Sequence, residues 1–184
     1  MKKIPQLFKM NFETHRIENE INKGCEWVAK GEGVATRKFD GTACLILKGE
    51  LYKRYDCKEG RNLPEYGFAC QPRPDPITGH WPWWIPVTDK PEDKWYWKGD
   101  KKVSILYEED GTYELCGPKI NGNPERFGAR DLIRHGSEKC PQCPRDYEGI
   151  KEFLMKEGIE GIVWYRDNGE MCKVKLRDYG IKRR

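Results

Sequence analysis

The sequence predicts an α+β fold in which antiparallel sheets dominate and helices are few. Short apolar runs rich in Val, Ile, Tyr and Trp recur along the chain, each closed by a turn signal. One stretch alone carries a clear helical spacing of apolar residues. Aromatics make up 12% and charged residues 35% of the 184 residues, too aromatic for disorder and suited to a loop-rich domain with a large solvated surface.

In chain order, "CEWVAKGEGVATRKF", "TACLILKGELYKRYD", "KVSILYEEDGTYELCGPKI" and "EGIVWYRDNGEMCKVKL" read as strands and hairpins. Their turns are "GEG", "KGE", "EEDG" and "RDNGE". "ERFGARDLIRHGS" suggests a short helical turn. "DYEGIKEFLMKEG" places Ile150, Phe153 and Leu154 on one helix face and ends at Gly158, a C-cap. Between these segments lies "QPRPDPITGHWPWWIPVTDKPEDKWYW", with five of the seven tryptophans: Trp81, Trp83, Trp84, Trp95 and Trp97. Its prolines argue against a central strand or a helix. An ordered loop stapled to the core by indoles is expected, with a base-stacking surface as the other reading.

The formal charge of +4, with both signs interspersed, does not by itself establish a nucleic-acid partner. The tail "KVKLRDYGIKRR" fits a polyanion and equally an ordinary terminus. No segment has the length of a membrane span, and "MKKIPQLFKMNFETHR" lacks a signal peptide's apolar core. A cytoplasmic protein with reduced thiols is expected. Cys25, Cys44, Cys57, Cys70, Cys116 and Cys172 are scattered singly and read as small hydrophobes. Cys140 and Cys143 form a CxxC that, with His135, offers three zinc ligands, a weak pattern without a second pair. His15 and His80 lack any partner pattern and read as structural.

Lys38-Phe39-Asp40-Gly41 raises a sharper question, because a lysine between two apolar runs can be a surface residue or a nucleophile. An attacking amine must lose its proton, which desolvation and nearby positive charge favour. Lys173 and Lys175 supply such charge, since residues two apart on a strand share a face. Asp40 lies two residues from Lys38, and Gly41 permits a close backbone approach.

The ordered series Lys38-Phe39-Asp40-Gly41, "LYKRYD", "YELCGPKINGNPE", "IEGIVWY" and "KVKL" resembles the collinear motifs of the covalent nucleotidyltransferase superfamily: RNA ligases, DNA ligases and messenger-RNA capping enzymes. It is most similar to small ATP-dependent RNA ligases of the single-domain type related to the vertebrate 5′-to-3′ RNA ligase. The matches run from residue 38 to residue 175; each is weak, and their order is the signal. The resemblance implies a nucleotidyltransferase (ATP-grasp-like ligase) core, two antiparallel sheets flanking a nucleotide cleft, in a single domain over residues 1–184. It implies that Lys38 is nucleotidylated, that Arg54 (with Lys53 as fallback) contacts the nucleotide and that Glu114 holds the ribose. Glu160 takes a metal or catalytic role, Asp40 positions the lysine or a metal-bound water, and Lys173 and Lys175 contact phosphate. Thr36 and Arg37 sit where relatives contact the base, partly through backbone. Phe127, Trp164 and the tryptophan stretch are all candidates to stack on adenine. ATP and magnesium (or manganese) are the implied cofactors, and RNA with 5′-phosphate and 3′-hydroxyl ends the implied substrate, in RNA repair.

Nine residues follow Lys175, so no C-terminal oligonucleotide-binding domain is expected. That disfavours DNA ligases and capping enzymes, and leaves substrate binding to the core or to a partner protein. A DNA nick-sealing ligase, a GTP-using capping-type guanylyltransferase and a non-catalytic nucleic-acid-binding module are the alternatives. The first would seal nicked all-DNA duplex, the second would be labelled by GTP, and the third would form no covalent adduct.

Overall fold

The structure is a computed structural model that describes residues 2–58, 60, 62–98, 101–102 and 109–183, with backbone alone at 97–98 and 101–102. Its elements are β1 (Phe8–Asn11), β2 (Arg16–Ile21), α1 (Glu26–Ala29), β3 (Val34–Lys38), β4 (Thr42–Leu47), β5 (Glu50–Lys58), β6 (Phe68–Ala69) and β7 (His80–Pro86). They continue with β8 (Trp97–Lys98), β9 (Lys101–Lys102), β10 (Gly111–Cys116), β11 (Asp131–Arg134), α2 (Tyr147–Glu157), β12 (Gly161–Tyr165) and β13 (Met171–Lys175). The architecture is mixed α and β, mostly antiparallel, with few helices among the described residues. No helix among them is long and apolar enough to cross a membrane.

The chain divides into two compact units. One comprises Asp40–His135 with the extreme N-terminus. Its described strands form a sheet in the order β11-β10-β4-β5-β7-β6. The β4–β5 hairpin turns through Lys48 and Gly49, both at positive φ (51° and 74°), the twist that suits a two-residue hairpin. Cys44, Ile46, Leu51, Tyr113, Leu115 and Leu132 bury one face of this sheet.

The other unit comprises Ile4–Phe39 and Gly136–Arg184, with the sheet β13-β12-β3 and the hairpin β1–β2. Its core gathers Leu7, Phe8, Val28, Ile150, Leu154, Ile162, Trp164 and Val174. Helix α2 forms as expected: the Asp146 carboxylate caps it by accepting from Gly149 N–H at 2.8 Å, and Gly158 closes it at φ 62°. The Arg145 guanidinium donates to the carbonyls of Val28, Glu32 and Gly33, which pins the turn that feeds β3.

Several expectations need correction. The tryptophan stretch contains a strand, β7, lying between β5 and β6. Its prolines are tolerated because Pro82 turns its backbone towards the short β6, its carbonyl accepting from Cys70 N–H at 2.8 Å. Pro86, four residues on, faces the same side, so the ladder to β5 needs no donor from either. "ARDLIRH" forms strand β11 rather than a helical turn, drawn into pairing with β10. Within "CEWVAKGEG", the expected strand is the short helix α1, and the strand begins only at Val34. Cys25 and Cys172 form a disulfide, with Cα atoms 6.2 Å apart. A separation of 147 residues hid that pairing, and a bonded pair departs from the expectation of reduced thiols throughout. Residues 103–108 of the expected strand "KVSILYEED" and the Trp97 side chain lie outside the described residues.

Candidate active site

The β13-β12-β3 sheet builds half of the predicted constellation from register alone. Lys38 stands opposite Gly161, and Gly161 opposite Lys175, so the three form one row. Thr36, Val163 and Lys173 form a second row, two residues along and therefore on the same face. Cys172, Val174, Ile162 and Trp164 turn the other way into the core. The alternation read in "KVK" thus brings both lysines to the face of Lys38.

Lys38 Nζ lies 2.5 Å from Glu160 Oε2, the residue just before β12. Gly161 is a steric requirement of the row: a Cβ there would lie 2.2 Å from the Val174 carbonyl oxygen. Lys175 is mostly buried and sits 3.6 Å from Asp178. Burial holds its ammonium below the ordinary lysine range, against the opposing pull of Asp178; Lys38 adds to the depression by repulsion. Thr36 is 2% exposed and donates its hydroxyl to the Val163 carbonyl at 2.9 Å. Arg37 occupies the opposite face, 3.1 Å from the Glu138 carboxylate and with its guanidinium over the Phe39 ring. Its side chain is therefore not brought to Lys38. Trp164 is fully buried in the core, which removes it as a stacking surface.

The unit containing Asp40–His135 carries a second cluster. Glu114, on β10, is 8% exposed. Its Oε1 accepts from Gly41 N–H at 3.1 Å, and its Oε2 lies 2.8 Å from His135 Nε2. Glu125, also buried, accepts from Asp40 N–H at 2.9 Å, while Asn121 donates to the Gly41 carbonyl and reaches Asp40 Oδ1 at 3.5 Å. Two carboxylates thus hold two consecutive amides. Gly41 is needed for this approach, since a Cβ would lie 2.2 Å from the Leu115 carbonyl oxygen. Arg54 falls on the Glu114 face of the sheet by strand alternation, within 3.6 Å of Asp56. Lys53 points to the other face and pairs with buried Asp93, so of these two residues Arg54 is the one on the Glu114 face.

No family model matches the chain. It is 26% identical over 195 aligned positions to a zebrafish (Danio rerio) protein named RNA ligase 1, covering 79% of this chain and 59% of that protein. It is 30% identical over 147 positions to the Pongo abelii protein of the same name, covering 60% and 43%. A Rattus norvegicus protein, also named RNA ligase 1, is 25% identical over 223 positions, covering 80% of this chain and 67% of its own length. These similarities support an RNA-ligase-related family. The chain spans about half the length of the first two relatives.

Glu125, Asn121 and the bond from His135 to Glu114 were not read from the sequence as site features. The signal for the first two was the turn-rich "KINGNPERF", where Lys119, Asn121, Asn123 and Arg126 all adopt positive φ. The zinc reading of His135, Cys140 and Cys143 finds no support. His135 is engaged with Glu114, and both cysteines are buried in the core of the other unit. Burial pushes the Cys143 thiol up to about 12, as for a small hydrophobe in a core. Among the described residues, no group of three or more His, Cys, Asp or Glu could hold a metal by itself.

Proposed function

We propose that the chain is an ATP-dependent RNA ligase that joins a 5′-phosphate to a 3′-hydroxyl through a lysyl-AMP intermediate on Lys38. The observation that carries this reading is the row Lys38–Gly161–Lys175, with Glu160 on the Lys38 amine and Lys173 on the same face. Similarity to proteins named RNA ligase 1 supports RNA as the polymer.

Lys38 Nζ attacks the α-phosphorus of ATP, forming a P–N bond as the bond to the β-phosphate oxygen breaks and pyrophosphate leaves. The amine gives up a proton in this step, and Glu160 Oε2 is an acceptor within reach at 2.5 Å. Lys173 and Lys175 stabilise negative charge on the transferring phosphoryl group. A magnesium ion held at Glu160 would supply further positive charge to the phosphate oxygens. A 5′-phosphate oxygen of RNA then takes AMP from Lys38, and the 3′-hydroxyl attacks that 5′-phosphorus to release AMP. Glu114 is assigned to the ribose and Arg54 to the nucleotide.

The test is incubation with magnesium and α-labelled ATP, followed by intact mass and peptide mapping. An AMP adduct on Lys38 is expected, absent in Lys38→Ala and crippled in a folded Lys175→Ala. An adduct that persists in Lys38→Ala would defeat the assignment, and one formed with GTP but not ATP would favour a capping-type enzyme. The labelled protein is then given 5′-phosphate RNA and 3′-hydroxyl RNA, where a sealed product is expected.

A further inference from the structure

We infer that His135 is the positioning residue for Glu114, and that the pair makes the site select a nucleotide with an intact vicinal diol. The inference rests on the reading of Glu114 as the ribose contact. A carboxylate offers about four acceptor positions, two on each oxygen. Gly41 N–H occupies one on Oε1 at 3.1 Å, and His135 Nε2 one on Oε2 at 2.8 Å. Each oxygen is left with capacity for one further donor, and a vicinal diol brings two hydroxyls at a fixed spacing.

The terminal torsion of a glutamate is broad, so an unrestrained carboxylate would present its oxygens over a wide range of angles. Here both oxygens are tied, to groups rooted in the sheet. Gly41 directly precedes β4, which pairs with β10. His135 directly follows β11, and its backbone N–H donates to the Thr112 carbonyl of β10 at 3.0 Å. The remaining ring nitrogen, Nδ1, is buried with no hydrogen-bond partner among the described residues. The bond to Glu114 places a proton on Nε2, since a carboxylate oxygen only accepts. The imidazole then acts as a fixed donor to Glu114, without a relay to a third group.

A merely structural pairing would affect stability and leave nucleotide selection alone, which makes the two roles separable. Rates of adduct formation on Lys38 are measured against concentration for ATP, 2′-deoxy-ATP and 3′-deoxy-ATP. The proteins are the wild-type chain, His135→Phe, which fills the ring volume without a donor, and His135→Gln, which retains an N–H donor. Folding is checked by circular dichroism and urea titration, with His135→Ala replacing His135→Phe if the latter does not fold. Wild type should show an apparent KM for ATP about ten-fold or more below that for at least one deoxy analogue, the loss expected for a charge-assisted hydrogen bond. His135→Phe should shrink that ratio to about two-fold, through a higher KM for ATP with little change in maximal rate. His135→Gln should keep most of it. Equal discrimination in the Phe and wild-type proteins, or none in wild type, overturns the role of His135. A wild-type chain that forms no adduct with any of the three nucleotides overturns the ligase reading itself, and this one with it.

Discussion

Gly161→Ala tests whether the row Lys38–Gly161–Lys175 is held as tightly as its geometry requires. The new Cβ would lie 2.2 Å from the Val174 carbonyl oxygen and 3.0 Å from Lys175 Cα, where ordinary contact begins at 3.4 Å. The obstacle is backbone, so no side chain can swing aside. Strands β12 and β13 must part by about 1 Å, and Val174 and Cys172 are buried behind them. Overpacking of this kind costs about 1–3 kcal/mol. Stretching the neighbouring ladder bond from Leu176 N–H to the Glu160 carbonyl, now 2.8 Å, adds about 1 kcal/mol. A loss of about 3 kcal/mol follows, or a fall of about 10 °C in Tm for a chain of this size. The assay is urea and thermal unfolding followed by tryptophan fluorescence, beside lysyl-AMP yield. Gly128→Ala is the control, because nothing lies within 4 Å of its Cβ position; its change should stay within about 0.5 kcal/mol. If the two variants unfold alike, the close approach of β12 and β13 is refuted.

Lys175→Met should change stability little at neutral pH, because the burial cost it relieves is offset by the partner that buried Asp178 loses, while adduct formation falls sharply. Lys175 has a folded pKa below its ordinary value of 10.5, so the fold sheds this proton before the unfolded chain does. Wild type should therefore gain stability relative to Lys175→Met as pH rises towards 10.5 and show no such trend near neutrality; a trend of opposite sign in denaturation midpoints would contradict the buried position. Asp93→Ala should cost about 3 kcal/mol, since it removes the buried carboxylate that accepts from the Lys53 ammonium and from the Thr88 N–H and hydroxyl. Burial raises the Asp93 carboxyl, but those donors outweigh it and hold it below 3.8. Its contribution should be complete above that pH and vanish as pH falls through the lower folded value, and a difference between wild type and Asp93→Ala that persists far below it would count against the ion pair.

The Lys38 face was legible because it depends on strand period and antiparallel register. "KVK" and "TRK" each alternate, and both pair with "GIVWY". Which of Arg54 and Lys53 shares a face with Glu114 was not legible, because adjacent residues on a strand face opposite ways and only the pairing of β5 with β4 shows it. The placement of the Arg37 side chain was hidden for the same reason: one position from Lys38, it falls on the other side of the sheet. Strand β7 was missed because a proline rule applied residue by residue cannot tell which neighbour the missing N–H would have faced.

By itself, the sequence determined the strand-rich class, helix α2 with its Asp146 and Gly158 ends, and the sharing of one face by Lys173 and Lys175. All three follow from periodicities and end signals that act over a few residues. Tertiary structure alone decided that Glu160 meets Lys38 across 122 residues, that His135 and Gly41 divide the Glu114 carboxylate, and that Cys25 bonds to Cys172. Such contacts depend on which strands pair and in what register, and that is settled by the collective burial of both sheets rather than by any local run of residues.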